Sequence, residues 1–387
     1  MAKLSPHTVG VNRIIFAFSC LFGVLAAVLI LSAGRSWAGQ AYGLAFQVSA
    51  AEMFDDNVTH SSAGREDLVT LLSLGVGARH DGRLGLFTVD GDLRQRLYAR
   101  NSNFNNVSGE LNLEWQAEPT KYDRFSVGNR TLRAEEPTSF DDEFENRGGR
   151  FSFFRNRFNL NWTRDIAQAL SVTGNYGNEL YDVSRNDLRD SWLHTAGFLF
   201  DWTLGASTIA RGGYDVAARS FDPGDSSTTQ TVSAGARRYL TPRVYVDGMT
   251  GVSFISGFSG DATTRPNILL SLTHEVNERT RNTLSFKKSS STTSSTQDIF
   301  TSWRITGEAH RDLTRRLGAS GSMFYGQGSY SGLSIEDDLF GAEAGLGYQI
   351  RPDVTGRVSY RFVSVDSTGA ARSYDKNAVL VSVDAQF

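Results

Sequence analysis

Arginines and acids recur at even spacing along this 387-residue chain. Arg94 and Arg96 stand two apart, as do Arg155 and Arg157, and the acids Asp90 and Asp92. Arg357 and Arg361, Glu110 and Glu114, and Arg304 and Glu308 stand four apart. Even spacing on an extended strand puts side chains on one face. A guanidinium fork matches a carboxylate or phosphate in two-point geometry. Such a row can guide an anionic group, or, interleaved with acids across neighbouring strands, it can neutralise itself and hold a wall in shape. Acid-base and metal chemistry have less support. The histidines beyond residue 38 are His60, His80, His194, His274 and His310, and none falls in a ligand spacing such as His-Glu-x-x-His. His194 and His274 sit in an apolar register with no serine paired to either. The reading is therefore no enzyme: no catalytic residue, no cofactor site and no metal site.

The elements that position these residues alternate with period two. In SWLHTAGFLFDWT, Trp192, Ala196, Phe198, Phe200 and Trp202 share a face opposite Thr195, Gly197, Asp201 and Thr203. In IFTSWRITGEAH, Ile299, Trp303, Ile305 and Ala309 oppose Ser302, Arg304, Thr306, Glu308 and His310. GELNLEWQ sets Leu111, Leu113 and Trp115 against Glu110, Asn112, Glu114 and Gln116. VTGRVSYRF sets Val354, Val358, Tyr360 and Phe362 against Thr355, Arg357, Ser359 and Arg361. Each is a strand with one apolar and one polar face. A charge on a lipid-exposed barrel face costs about 2–4 kcal/mol at mid-membrane, so in a membrane barrel the charged faces look into the lumen. The outward aromatics, Tyr42, Phe46, Trp115, Trp162, Trp202, Phe254, Trp303, Tyr325, Tyr360 and Phe387, then read as interfacial girdles. Sugar stacking needs inward aromatics, and few are expected: Tyr98, Tyr245 and Phe324.

Composition agrees. Apolar residues make up 40% of the chain, Gly is plentiful at 38 and Pro scarce at 7, and the mean hydropathy is -0.29. Beyond residue 33 there is no apolar run of the roughly 20 residues that a membrane helix needs; a barrel spans on alternation alone. The net charge of -3 offers no basic surplus for nucleic acid. The single cysteine, Cys20, lies near the N-terminus, which leaves the rest of the chain without disulfides or thiolate metal sites.

Residues 1–38 read as a secretory signal peptide. Lys3 and Arg13 precede an apolar run from Ile14 to Ala33, and Ser36-Trp37-Ala38 offers small residues for cleavage after Ala38. An uncleaved anchor is the alternative, since the run exceeds the usual apolar core. Residues 39–387 form the barrel.

Short turns punctuate it near Asp81-Gly82, Glu118-Pro119-Thr120, Arg164-Asp165, Leu204-Gly205-Ala206, Thr241-Pro242, Asn277-Glu278, Asp312-Leu313 and Arg351-Pro352-Asp353. Longer polar loops lie between them, at Asp55 to Glu66, Glu135 to Gly149, Ser184 to Asp190, Asp222 to Thr229, Ser289 to Gln297 and Asp366 to Asp375. Gly, Asn, Asp and Ser serve both sets because they tolerate or replace strained backbone. The pattern predicts an all-β chain, an antiparallel up-and-down transmembrane barrel of about 18 strands (16–18), even in number as bacterial barrels are. Both termini then fall on the short-turn side, the periplasm. A barrel of this size leaves an aqueous channel.

Two resemblances add to this reading. The last segment, VLVSVDAQF, alternates to Phe387, a terminal aromatic in phase with the apolar face. It resembles the C-terminal assembly signal of bacterial outer-membrane barrels and implies the barrel-assembly machinery and outer-membrane lipid as partners. In FQVSAAEMFDDNVTHS, the run Phe54, Asp55, Asp56, Asn57 and Val58 resembles the opening of a family of Gram-negative outer-membrane β-barrel porins associated with exopolysaccharide export, of the type that accompanies PEP-CTERM systems. That resemblance implies passive export of a polysaccharide, with periplasmic secretion partners; the inward positions supply the candidate lumen track, Arg94, Arg96, Arg155, Arg157, Arg304, Arg357, Arg361, Asp90, Asp92, Glu110, Glu114 and Glu308. The residues alone leave open a diffusion porin for small solutes, with Glu135 to Gly149 as a constriction loop, and a non-transport structural or surface barrel. For Asp55-Asp56-Asn57 the physical alternative to a binding role is a tight turn with side-chain caps.

Overall fold

In a computed structural model, residues 41–135, 150–186, 188–257, 260–292, 298–369 and 372–387 are described. The expected signal peptide, residues 1–38, lies outside them, as does most of Glu135 to Gly149. Eighteen strands run in chain order: β1 (Ala41–Asp55), β2 (Asp67–Gly82), β3 (Gly85–Tyr98), β4 (Asn106–Thr120), β5 (Asp123–Ala134), β6 (Phe153–Ala167), β7 (Leu170–Val183), β8 (Asp190–Gly205), β9 (Thr208–Asp222), β10 (Ser226–Thr241), β11 (Val244–Gly257), β12 (Gly260–Asn277), β13 (Thr280–Thr292), β14 (Ile299–Asp312), β15 (Leu317–Tyr330), β16 (Glu336–Arg351), β17 (Val354–Ser367) and β18 (Tyr374–Gln386). Each pairs antiparallel with its neighbours in sequence, and β18 pairs with β1, so the sheet closes. With strands about 4.8 Å apart and tilted about 40°, such a barrel has a backbone radius of about 18 Å.

The seam is where the first and last strands meet. Gln47 lies opposite Gln386 and Phe54 opposite Val379. Beyond the ladder, Phe46 N donates to Phe387 O at 3.0 Å and Phe387 N to Phe46 O at 2.8 Å. Closure removes the free edges that make an open sheet sticky.

The register sorts every strand into two faces. Leu74, Leu93 and Leu284 point outward with Phe46, Trp202, Val381 and Phe387; Leu74 is 64% and Phe387 70% exposed. Apolar surface on that scale needs lipid against it. The belt is bounded by polar-tipped rings. At the short-turn end, Trp115 Nε1 donates to Leu84 O at 3.1 Å and Trp162 Nε1 to Asp123 Oδ1 at 3.1 Å. Toward the long-loop end, the hydroxyls of Tyr214, Tyr325 and Tyr360 reach Gln230 (2.9 Å), Asp338 (3.1 Å) and Asn377 (2.6 Å) on neighbouring strands. On β8 the belt runs from Trp192 to Trp202, a rise of about 26 Å for a strand tilted about 40°, close to the roughly 25 Å apolar band of such barrels.

Strand ends differ from expectation in places. β6 continues past Arg164-Asp165 to Ala167; Asp165 is a rim residue in a two-point pair with Arg124 of β5 (2.8 Å for both bonds). The Ser-Thr runs at 226–229 and 289–292 are strand, because their hydroxyls alternate with the pleat. Glu118-Pro119-Thr120 ends β4, and the turn proper is 121–122. One connection on the long-loop side, after Gly257, spans only two residues; Gly257 has φ +122°, where an added Cβ would meet Ser226 O at 2.3 Å.

Candidate functional site: the barrel lumen

Every residue of the predicted track faces the lumen. Asp90, Asp92, Arg94 and Arg96 line β3 with Glu110 and Glu114 on β4. Arg155 and Arg157 lie on β6, Arg304 and Glu308 on β14, and Arg357 and Arg361 on β17. The barrel does not bring them into one column. Instead it spreads them round the wall and pairs several with opposite charges, some of which the track omitted. Glu110 accepts from Arg130 of β5 at 2.8 Å, and Asp92 lies 3.4 Å from Arg94. Glu179 of β7 sits among three arginines: Arg157, Arg155 at 4.0 Å and Arg219 of β9 at 3.6 Å. Asp247 of β11 holds Arg211 at 2.7 Å and Arg237 at 2.8 Å, and Arg211 also reaches Asp201 at 3.0 Å. Arg357 faces Asp384 at 3.8 Å.

Glu179, Arg211, Arg219, Arg237 and Asp247 are the strongest interactions that sequence reasoning missed. Their signal was present: Arg211, Asp215 and Arg219 share one face of β9 at the same even spacing. Which acid meets which arginine depends on cross-strand register, which no single segment contains. Glu179 and Asp247 are 13% and 16% exposed, so these acids are held within the wall, and fixed charge on a pore wall sets which solutes pass.

Toward the long-loop end the lumen face turns apolar. One buried cluster joins Phe300, Phe324, Tyr330, Leu339, Val363 and Tyr374 on β14 to β18. A second joins Ala51, Val69, Leu71 and Tyr98 to Val58 of the loop after β1, which folds inward over them. A third packs Leu132, Ala134 and Phe153 with Tyr181. Inward aromatics are thus more numerous than the three expected. Most of them, including Tyr98, Phe153, Phe324 and Tyr374, are buried and offer no open face for sugar stacking, whereas Tyr239 and Tyr245 are partly exposed. Phe324 lies flat because Gly341 opposite it has no side chain; a Cβ there would sit 2.1 Å from the ring. Arg150, ahead of β6, crosses to this second cluster, donating to Tyr98 Oη at 2.8 Å and stacking 4.9 Å from its ring.

The Asp55-Asp56-Asn57 turn occupies the seam. Asp55 Oδ2 lies 2.8 Å from Lys376 Nζ of β18. Asp56 accepts from Asn377 N at 2.6 Å and Asn377 Nδ2 at 2.7 Å. Asn57 Nδ2 donates to Asp375 O at 2.9 Å, while Asn57 N donates back to Asp55 Oδ1 at 2.9 Å. The motif is a capped turn, and its side chains fasten the first strand to the last.

The histidines are scattered. His194 faces outward beside Tyr176 Oη at 3.0 Å and Asn178 at 3.3 Å, His274 faces outward opposite Asn282, and His310 faces inward 3.4 Å from Asp312. Buried His60 lies 3.0 Å from Lys376 Nζ. Among the described residues no three His, Cys, Asp or Glu side chains are placed to hold a metal ion.

Residues 255–387 match the family model described as "Putative beta-barrel porin 2". The matched stretch runs from the end of β11 through β18 and so includes Lys376 and Phe387, but not the Phe54 to Val58 run. No curated protein matches the chain. Among solved structures, it is similar to OpdL of Pseudomonas aeruginosa, with 10% identity over 91% of this chain and 99% of that one and a TM-score of 0.47. It is also similar to OccK5 (OpdH) of the same organism, at 11% identity over 89% and 98% with a TM-score of 0.48. The FrpB iron transporter of Neisseria meningitidis (F3-3 variant) gives 9% identity over 88% and 81% with a TM-score of 0.48. The chain is a closed 18-stranded, porin-like β-barrel.

Proposed function

We propose that this protein is an outer-membrane conduit through which polar solutes diffuse passively, with no chemistry and no cofactor. The observation that carries the reading is a closed 18-stranded wall with an apolar belt outside and paired charges inside. Sixteen or more strands leave room for water inside, whereas about eight do not. In this reading residues 1–38 direct secretion, Phe387 serves the assembly machinery, both termini lie in the periplasm, and the long loops face outward. Planar-bilayer recordings of the purified protein test it. Stable stepwise conductance is expected, together with swelling of proteoliposomes in small sugars. A barrel that inserts but passes no current would be structural.

The narrower reading, export of an exopolysaccharide with periplasmic secretion partners, is supported by the inward arginine and acid ladders and by the resemblance at Phe54 to Val58, of which Asp55, Asp56 and Asn57 are already engaged at the seam. Deleting the gene tests it directly: secreted polysaccharide unchanged in amount and location sinks export and leaves diffusion standing.

A further inference from the structure

One rung of the lumen wall is polar and aromatic from end to end. Tyr239 of β10 lies directly opposite Tyr245 of β11, and Tyr245 opposite Thr273 of β12. Thr273 faces Thr283 of β13, and the rung continues through Glu308 of β14 and Ser322 of β15 to Glu343 of β16. It begins beside the short turn before β11 and ends well inside β16, so with the strands tilted it climbs from the mouth into the pore. The two rings are partly exposed, with centroids 5.5 Å apart and planes at 49°. Arg237, held by Asp247, lies 5.3 Å from the Tyr245 ring. Arg281 of β13 reaches across β12 to the Tyr245 hydroxyl, Nη2 to Oη at 3.5 Å. Beyond it the wall forms a recess of about 520 Å³, lined by Arg281, Thr283, Glu308, His310, Ser322 and Glu343. Small-molecule sites typically enclose roughly 300–1,000 Å³.

We propose that this rung is a binding subsite for a neutral saccharide passing through the pore; this rests on the conduit reading above. A sugar ring has C–H faces that pack on aromatic rings and a rim of hydroxyls that both donate and accept. Tyr239 and Tyr245 supply the apolar surface, each with a polar tip. Arg281 supplies donors, Glu308 and Glu343 acceptors, and Thr283 and Ser322 hydroxyls that do either. One recess thus holds a guanidinium and two carboxylates, which suits an uncharged polyol better than an anion. The hold is partial, since conduction needs sites that release what they capture.

Planar-bilayer current in the presence of maltotriose or cellotriose tests the subsite, with heat-modifiable migration confirming that each variant is folded. Polyethylene glycol of equal size controls for volume, and trigalacturonate for charge. In the native channel at least one of the neutral trisaccharides should block current saturably, whereas the glycol should lower it only in proportion to concentration. Tyr245→Ala and Glu308→Ala should each weaken the block roughly tenfold. Tyr245→Phe should keep most of it. Leu284→Ala, beside Thr283 but facing lipid, should leave it unchanged. A conducting channel that trigalacturonate alone blocks, that the glycol blocks as the sugars do, or that no sugar blocks overturns the subsite and leaves the conduit intact. A block that survives both Tyr245→Ala and Glu308→Ala does the same. Folded barrels that conduct nothing overturn the conduit, and the subsite with it.

Discussion

Lys376 of β18 places its Nζ 2.8 Å from Oδ2 of Asp55 on β1, with both side chains buried. These residues are far apart in the sequence and meet only when the barrel closes. The neighbouring bonds from Asn377 to Asp56 and from Asn57 to Asp375 fasten the same end of the seam. At the other end the seam is held by the backbone pair of Phe46 and Phe387.

Breaking one partner of this buried pair should cost more than removing both. Asp55→Ala leaves the buried Lys376 ammonium without its carboxylate, with His60 Nε2 still 3.0 Å away, and losing one member of such a pair costs about 3–5 kcal/mol. A paired change, Asp55→Leu with Lys376→Met, should recover a large part of that loss. Denaturant midpoints of the folded barrel, read from heat-modifiable migration, check this; equal destabilisation by the single and double variants would count against it.

Phe387 has a different role. Its ring is exposed on the lipid side and its backbone closes the ladder. Phe387→Ser keeps the backbone bonds, so the stability of barrel refolded in detergent should change little, while the amount assembled in cells should fall several-fold. Fractionation of outer membranes against in vitro refolding separates the two effects. A normal cellular level would show that the terminal aromatic is not read during assembly.

Adjacent residues on β13 test the assignment of faces. Leu284 points into the belt and Ser285 into the lumen. Leu284→Arg should destabilise the inserted barrel by about 2–4 kcal/mol, whereas Ser285→Arg should fold with little loss and alter conductance. The reverse ordering in bilayer-folding measurements would invert the lumen.

Glu179 balances Arg155, Arg157 and Arg219. Glu179→Gln removes the one negative charge among three positive ones, so selectivity should move toward anions by roughly twofold or more. Reversal potentials in a salt gradient measure it.

Much of the architecture was legible locally. The alternation of Trp192 to Trp202 against Thr195 to Thr203 assigns lipid and lumen faces without reference to any other strand, and β8 bears it out. The strand count followed from turn residues, since Gly, Asp and Pro mark places where a pleat cannot continue. The misplaced turn at Arg164-Asp165 shows the limit of that signal. Asp165 is polar because it holds Arg124 on the next strand, a reason that lies outside its own segment.

The sequence by itself determined the class of the molecule: period-two strands, their two faces, an even meander and an aromatic final residue in phase with the belt. These are local properties of a pleated chain. Only the tertiary structure decided the partners. It set Glu179 among three arginines, folded Val58 inward, and turned Asp55-Asp56-Asn57 into the clasp of the seam. Each of these depends on the register between strands or on closure of the whole ring, and register is a relation between segments that the alternation within one of them does not contain.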